Sequence, residues 1–102
     1  MPAYVKALPL RELSPGSAKA VELNGKMIAL FNVAGQVHAS DNACLHRGGP
    51  LGEGALEGGT VTCPWHGWKF DAASGACQMN PKMKVRTYPV KIEGPDIFVD
   101  VE

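Results

Sequence analysis

The sequence predicts an all-β fold, antiparallel throughout, with two irregular loops set between hairpins. Three observations point that way: the apolar runs are short and rich in Val, Ile, Phe and Tyr, glycine-bearing turn pairs close them, and no stretch holds a helical period. Residues 21–23 and 27–33 flank Asn24-Gly25, a pair that accepts the positive φ angles of a type I′ hairpin turn. Ala34-Gly35 then turns the chain into residues 36–40, a second hairpin partner. Residues 41–54 carry Cys, His, Gly and Pro too densely for regular structure and read as a loop. Leu56 and Val61 face each other across Gly58-Gly59, in a short hairpin leading to a second such loop at residues 63–68. Residues 87–92 and 97–101 form a last strand, turn, strand unit across Glu93-Gly94-Pro95-Asp96.

Composition bounds what such a fold can do. The 102 residues suit one domain, 1–102, with no repeat, low-complexity segment or linker to divide it. Ten Lys and Arg balance ten Asp and Glu, so the formal charge is zero, without the basic excess of a nucleic-acid or membrane-surface binder. A chain this short buries only about two-thirds of its unfolded surface, which makes a bound metal a useful staple. Its three cysteines are an odd number, and the sequence has neither a signal peptide nor a long apolar span. The chain is therefore expected to be cytoplasmic, with thiols that serve metal rather than disulfides; a monomer is the expected state.

Four residues carry the chemistry. Cys44 and His46 are spaced C-x-H, and Cys63 and His66 C-x-x-H, with sixteen residues, 47–62, between the pairs. Each loop thus offers one thiolate and one imidazole. Soft thiolate beside borderline imidazole suits zinc or an iron–sulfur centre and argues against magnesium or calcium. Ligand identity alone leaves a zinc site of two cysteines and two histidines open.

The flanking residues separate the two. The runs Cys44-Leu45-His46-Arg47-Gly48-Gly49-Pro50-Leu51 and Cys63-Pro64-Trp65-His66-Gly67-Trp68-Lys69-Phe70-Asp71 closely resemble the two cluster loops of Rieske [2Fe-2S] proteins. The hairpins before and after them also fit a Rieske-type ferredoxin. That resemblance implies antiparallel sheets with a small loop subdomain, about 41–54 and 63–71, holding one [2Fe-2S] cluster per chain. It further implies that Cys44 and Cys63 bind one iron while His46 and His66 bind the other. Two ferric ions, two sulfides and two thiolates then sum to zero, where an all-cysteine centre starts at minus two. Adding an electron to a neutral core costs less, so Rieske potentials lie at about −150 to +300 mV, against about −400 mV for plant-type clusters.

In high-potential members of the family, cysteines stand where this chain has Gly49 and Trp65, and a serine and a tyrosine where it has Trp68 and Phe70. Hydroxyl donors stabilise the extra charge of the reduced state, so their absence places this chain at the low end of the range. The Trp65, Trp68 and Phe70 pattern resembles the low-potential ferredoxins of bacterial ring-hydroxylating dioxygenase systems. The implied function is one-electron transfer from a flavoprotein reductase to a terminal non-haem iron oxygenase. A Rieske-like small subunit of another oxidoreductase, such as a nitrite reductase, is the alternative, and a zinc-stapled interaction module is a third reading. The chain is not expected to be an enzyme. A non-haem iron site needs two histidines and a carboxylate, and the cluster leaves only His38 of the three histidines. Gly52-Glu53-Gly54 opens like a dinucleotide fingerprint, but Glu57 stands where its third glycine belongs.

The remaining residues are read beside their plainer roles. In the resembled family the outer ring edges of His46 and His66 are the electron exit, and the glycine-rich loops favour their exposure over a backbone-bonded role. Pro64 shapes its loop, and Gly48, Gly49 and Gly67 permit tight turns. Phe70 is assigned to core packing and Trp65 to shielding of the cluster. Residues 79–84 resemble the third, proline-bearing loop of Rieske proteins, where Lys82 and Lys84 form either a docking surface or a solvated one. Cys77 reads as a small apolar filler beside Ser74-Gly75, and His38 as a structural residue on a strand.

Overall fold

The computed structural model describes residues 4–42, 51–64, 67–78 and 84–101. These contain strands β1 (Tyr4–Pro9), β2 (Ala18–Leu23), β3 (Lys26–Val33), β4 (Gln36–Asp41), β5 (Ala55–Glu57), β6 (Thr60–Thr62), β7 (Lys69–Asp71), β8 (Thr87–Tyr88), β9 (Val90–Glu93) and β10 (Asp96–Asp100). Helical geometry among the described residues is confined to two 3-10 turns, Leu10–Glu12 and Leu51–Glu53. The strands form three antiparallel sheets in the orders β1-β10-β9, β2-β3-β4-β8 and β5-β6-β7.

Local turn chemistry sets the hairpins. Asn24 and Gly25 adopt φ of 50° and 80°, the left-handed pair of a type I′ turn, and Leu23 pairs with Lys26 across it. Ala34 and Gly35 repeat that geometry between β3 and β4. Here a side chain helps: Asn32 Oδ1 accepts the Gly35 N–H at 2.8 Å, and Asn32 Nδ2 donates to the Leu13 carbonyl at 2.7 Å. Asn32 is only 3% exposed, and its bond to the buried Leu13 carbonyl is made away from bulk water, while the Gly35 bond lies at the part-buried edge.

Three features depart from the sequence reading. β1 has no turn signal of its own and forms by pairing with β10, Val5 opposite Val99, with a shift of register between Lys6 and Leu8. Residues 87–92 are not one strand. Pro89 has no N–H to donate and interrupts it, so β8 pairs with β4 in one sheet and β9 with β10 in another. Residues 69–71, placed in the second loop, are β7, which pairs with β6 through Val61 and Phe70.

Two cores flank β3. Ile28 and Leu30 point to one, shared with Leu8, Leu23, Ile97, Val99 and Tyr88 from both larger sheets. Ala29 and Phe31 point to the other, shared with Val61, Cys63, Phe70, Cys77 and Val85. A strand buried on both faces needs apolar residues at successive positions, which is why residues 28–31 are apolar without a break and all buried, while Met27 before them is exposed. Full burial of each large side chain stabilises by about 1.5–3 kcal/mol relative to exposure.

Asn32→Ala should destabilise the protein by about 1–3 kcal/mol, because it strips the buried Leu13 carbonyl of its partner. Urea unfolding measures this, and an unchanged midpoint would show that the bond is dispensable.

Candidate metal centre

Of the four expected ligands, Cys63 lies among the described residues, while Cys44, His46 and His66 lie outside them. Cys63 directly follows β6 and is 1% exposed, packed in the second core with Val61 and Phe70. Its backbone N–H donates to the Trp68 carbonyl at 2.7 Å, one step beyond the Thr62–Lys69 pair of β6 and β7. The Cys63–Trp68 bond therefore carries the β6–β7 pairing one step further. Gly67 has φ of 72°, as its reading as a turn glycine requires.

The residues on either side of the first expected ligand pair are joined in the same manner. β4 ends at Asp41, and the Asn42 carbonyl accepts the Leu51 N–H at 2.7 Å, bringing Asn42 and Leu51 together. The Asn42 side chain adds a second closure, Oδ1 accepting the Gly52 N–H at 2.7 Å. Gly52-Glu53-Gly54 is thus no nucleotide loop but the exit of this segment. Gly54 is pressed against β6: a Cβ there would sit 2.2 Å from the Thr62 carbonyl oxygen, so only glycine fits. The exit of the first segment consequently lies against the residue that precedes Cys63.

A third closure brackets residues 77–83. The Val85 N–H donates to the Gly75 carbonyl at 2.9 Å, and Ala76 bridges to Lys84. Lys84 is exposed; Lys82, with the rest of residues 79–83, lies outside the described residues, as do Gly48, Gly49 and Trp65. Phe70 is buried at 1% exposure, Trp68 is half-buried against the second core, and Cys77 is fully buried there and bridges Phe70. His38 is on β4 opposite Phe31, in line with a structural role.

The stems of the first and third segments meet at a polar cluster that no sequence pattern flags. Tyr88 Oη donates to Asp41 Oδ1 at 2.5 Å, and the Asp41 N–H donates to the Arg86 carbonyl at 2.8 Å. The Arg86 guanidinium stacks 4.9 Å from the centre of the Tyr88 ring. Burial first, then the hydrogen bond and the negative charge of Asp41, push the Tyr88 phenol from 10.0 up to about 12, with Arg86 opposing. Tyr88 therefore stays a neutral donor across the physiological range.

Chemically, the expected donor set is one of thiolates and imidazoles, and the one member of it among the described residues, Cys63, is withdrawn from water. Such donors fit a small iron–sulfur centre.

Comparison with known proteins narrows this. Residues 3–89 match the Rieske [2Fe-2S] domain family. The ferredoxin component of a naphthalene 1,2-dioxygenase system from Pseudomonas aeruginosa is 36% identical over 99 residues, spanning 96% of this chain and 95% of that one. Among solved structures, the ferredoxin of carbazole 1,9a-dioxygenase from Nocardioides aromaticivorans IC177 superposes with a TM-score of 0.90 at 27% identity, covering 98% of this chain and 99% of that one. A ferredoxin in complex with the oxygenase of carbazole 1,9a-dioxygenase gives 0.89 at 25% identity, covering 97% and 94%.

The Tyr88 shift carries a sign. Between pH 10 and about 12 the unfolded chain has lost the phenolic proton and the folded chain retains it, so rising pH favours unfolding. The stabilisation is complete below pH 10 and is lost as pH climbs through about 12. Subtracting the urea midpoint of Tyr88→Phe from that of the parent protein should give a difference that shrinks across this window. A difference flat with pH would mean that the phenol is not held by Asp41.

Proposed function

The chain belongs to the Rieske [2Fe-2S] domain family, and from that membership we propose that it is the ferredoxin component of a multicomponent oxygenase system. It is a one-electron carrier that takes electrons from a flavoprotein reductase and gives them to a terminal non-haem iron oxygenase, and is not itself catalytic. The observation that carries this is the match, in sequence and in fold, over nearly the full length of both this chain and ferredoxin components, whereas a terminal oxygenase is matched over only 29% of its length. Among the described residues no helix is long and apolar enough to cross a membrane. A cytoplasmic monomer is the setting proposed for such a carrier.

One [2Fe-2S] cluster is bound per chain, and when bound it accepts and returns a single electron. On this proposal Cys44 and Cys63 hold one iron and His46 and His66 the other, within a single domain spanning residues 1–102. The buried position of Cys63 supports it, since a thiolate ligand shielded at 1% exposure keeps water from its sulfur. Phe70, buried without a hydroxyl, and Trp68, half-buried, present no O–H donor where high-potential members carry one. The reduced state therefore lacks that source of stabilisation.

Reductive titration followed by electron-spin resonance tests the assignment. The midpoint is expected near the bottom of the Rieske range, about −150 mV. Cys63→Ser should leave the protein unable to hold its full iron complement. A colourless protein with no spin signal after reduction would overturn the cluster assignment, and a midpoint well above zero would overturn the oxygenase partner. In a reconstituted system with a ferredoxin reductase and a ring-hydroxylating oxygenase, reversing the charge of Lys82 and Lys84 together should slow turnover at low salt if that segment docks.

A further inference from the structure

Asn42 is bonded on both sides of residues 43–50. It stands two positions before Cys44 and is half-buried. Three of its groups are used. Its N–H donates to the Met27 carbonyl at 3.1 Å, its carbonyl accepts from Leu51 at 2.7 Å, and its side-chain Oδ1 accepts from Gly52 at 2.7 Å. One bond fixes the residue to β3, and two hold the far end of residues 43–50.

That far end has no freedom to drift. A Cβ on Gly52 would lie 2.7 Å from the backbone nitrogen of Ala20 and 2.8 Å from its Cα, so the Gly52 backbone is pressed onto β2. Two residues on, Gly54 is pressed onto the Thr62 carbonyl, immediately before Cys63. A single backbone bond between Asn42 and Leu51 would let the segment pivot about it. The second bond, from the neighbouring N–H to a side-chain oxygen, removes that pivot. The chain of contacts thus runs from Asn42 through Gly52 and Gly54 to Thr62 and the buried thiol.

We propose that Asn42, which is not a ligand, is a positioning residue: its paired hydrogen bonds to Leu51 and Gly52 set the span of residues 43–50 and with it the placement of Cys44 and His46 relative to Cys63. The inference rests on the ligand assignment above, and the test separates the two. Partners that orient metal ligands without binding metal typically govern retention of the metal by about ten- to a hundredfold.

The experiment uses purified holoprotein and three readouts: the rate of iron loss to a chelator, the electron-spin lines of the reduced protein, and thermal unfolding. Asn42→Ala removes only the side-chain acceptor, and is expected to release iron about tenfold faster with shifted or broadened spin lines. Asn42→Asp keeps an oxygen in the same place and is expected to restore slow release and the parent line shape. If Asn42→Ala does not accumulate as folded protein, Asn42→Gln takes its place, because its amide oxygen is one methylene too far along. A parent-like release rate and line shape in the Ala or Gln variant, even with a lower unfolding temperature, would overturn the proposal, as would an Asp variant that loses iron as fast as Ala. A parent protein that shows no cluster signal would instead overturn the ligand assignment itself.

Discussion

Everything in this small fold hangs on β3 being buried on both of its faces. Ile28 and Leu30 close the core between the two larger sheets, while Ala29 and Phe31, one residue out of phase, close the core beneath β5, β6 and β7. Because side chains alternate across a strand, neither core can be altered without the other feeling it. A slip of one residue in the β2–β3 or β3–β4 register would exchange the two sets of side chains, setting Phe31 where Leu30 belongs. The type I′ turns on either side of β3, with the Asn32 side chain inside the second, protect that register.

The functional end is a consequence of the second core. Cys63 is a core residue before it is anything else, packed with Val61 and Phe70 under the two apolar side chains that β3 turns to that side. Backbone hydrogen bonds then close each segment that leaves this platform: Cys63 to Trp68, Asn42 to Leu51, Gly75 to Val85. A cluster held over a rigid core can change charge by one electron with little rearrangement of the protein around it. For a carrier without a substrate of its own, that rigidity is the useful property.

The motif and the hairpins were legible in the sequence because they are local. Asn24-Gly25 demands positive φ angles wherever it occurs, and two Cys–His pairs with their flanking Gly, Pro and Trp residues point to their metal chemistry without reference to the rest of the chain. Other features left no such trace. β1 is a strand only because β10 lies beside it. The run from 87 to 92 reads as one strand on its apolar content, whereas Pro89 hands it from one sheet to the other, and the Pro89 carbonyl still accepts the Asp100 N–H. Gly52 and Gly54 read as a failed nucleotide fingerprint, yet their role is contact with Ala20 and Thr62, residues that no spacing rule connects to them.

The sequence by itself determined the all-β class, the two main hairpins around β3, and the chemical type of the centre, since turn conformation and ligand softness are properties of individual side chains and their immediate neighbours. Only the tertiary structure decided that Cys63 is a buried core residue, that Tyr88 reaches Asp41 across 47 positions of chain, and that Asn42 bonds to both Leu51 and Gly52. Those are contacts between residues far apart in sequence. Their energy depends on distances and burial that exist only once the sheets have packed, and no periodicity or motif in the chain encodes them.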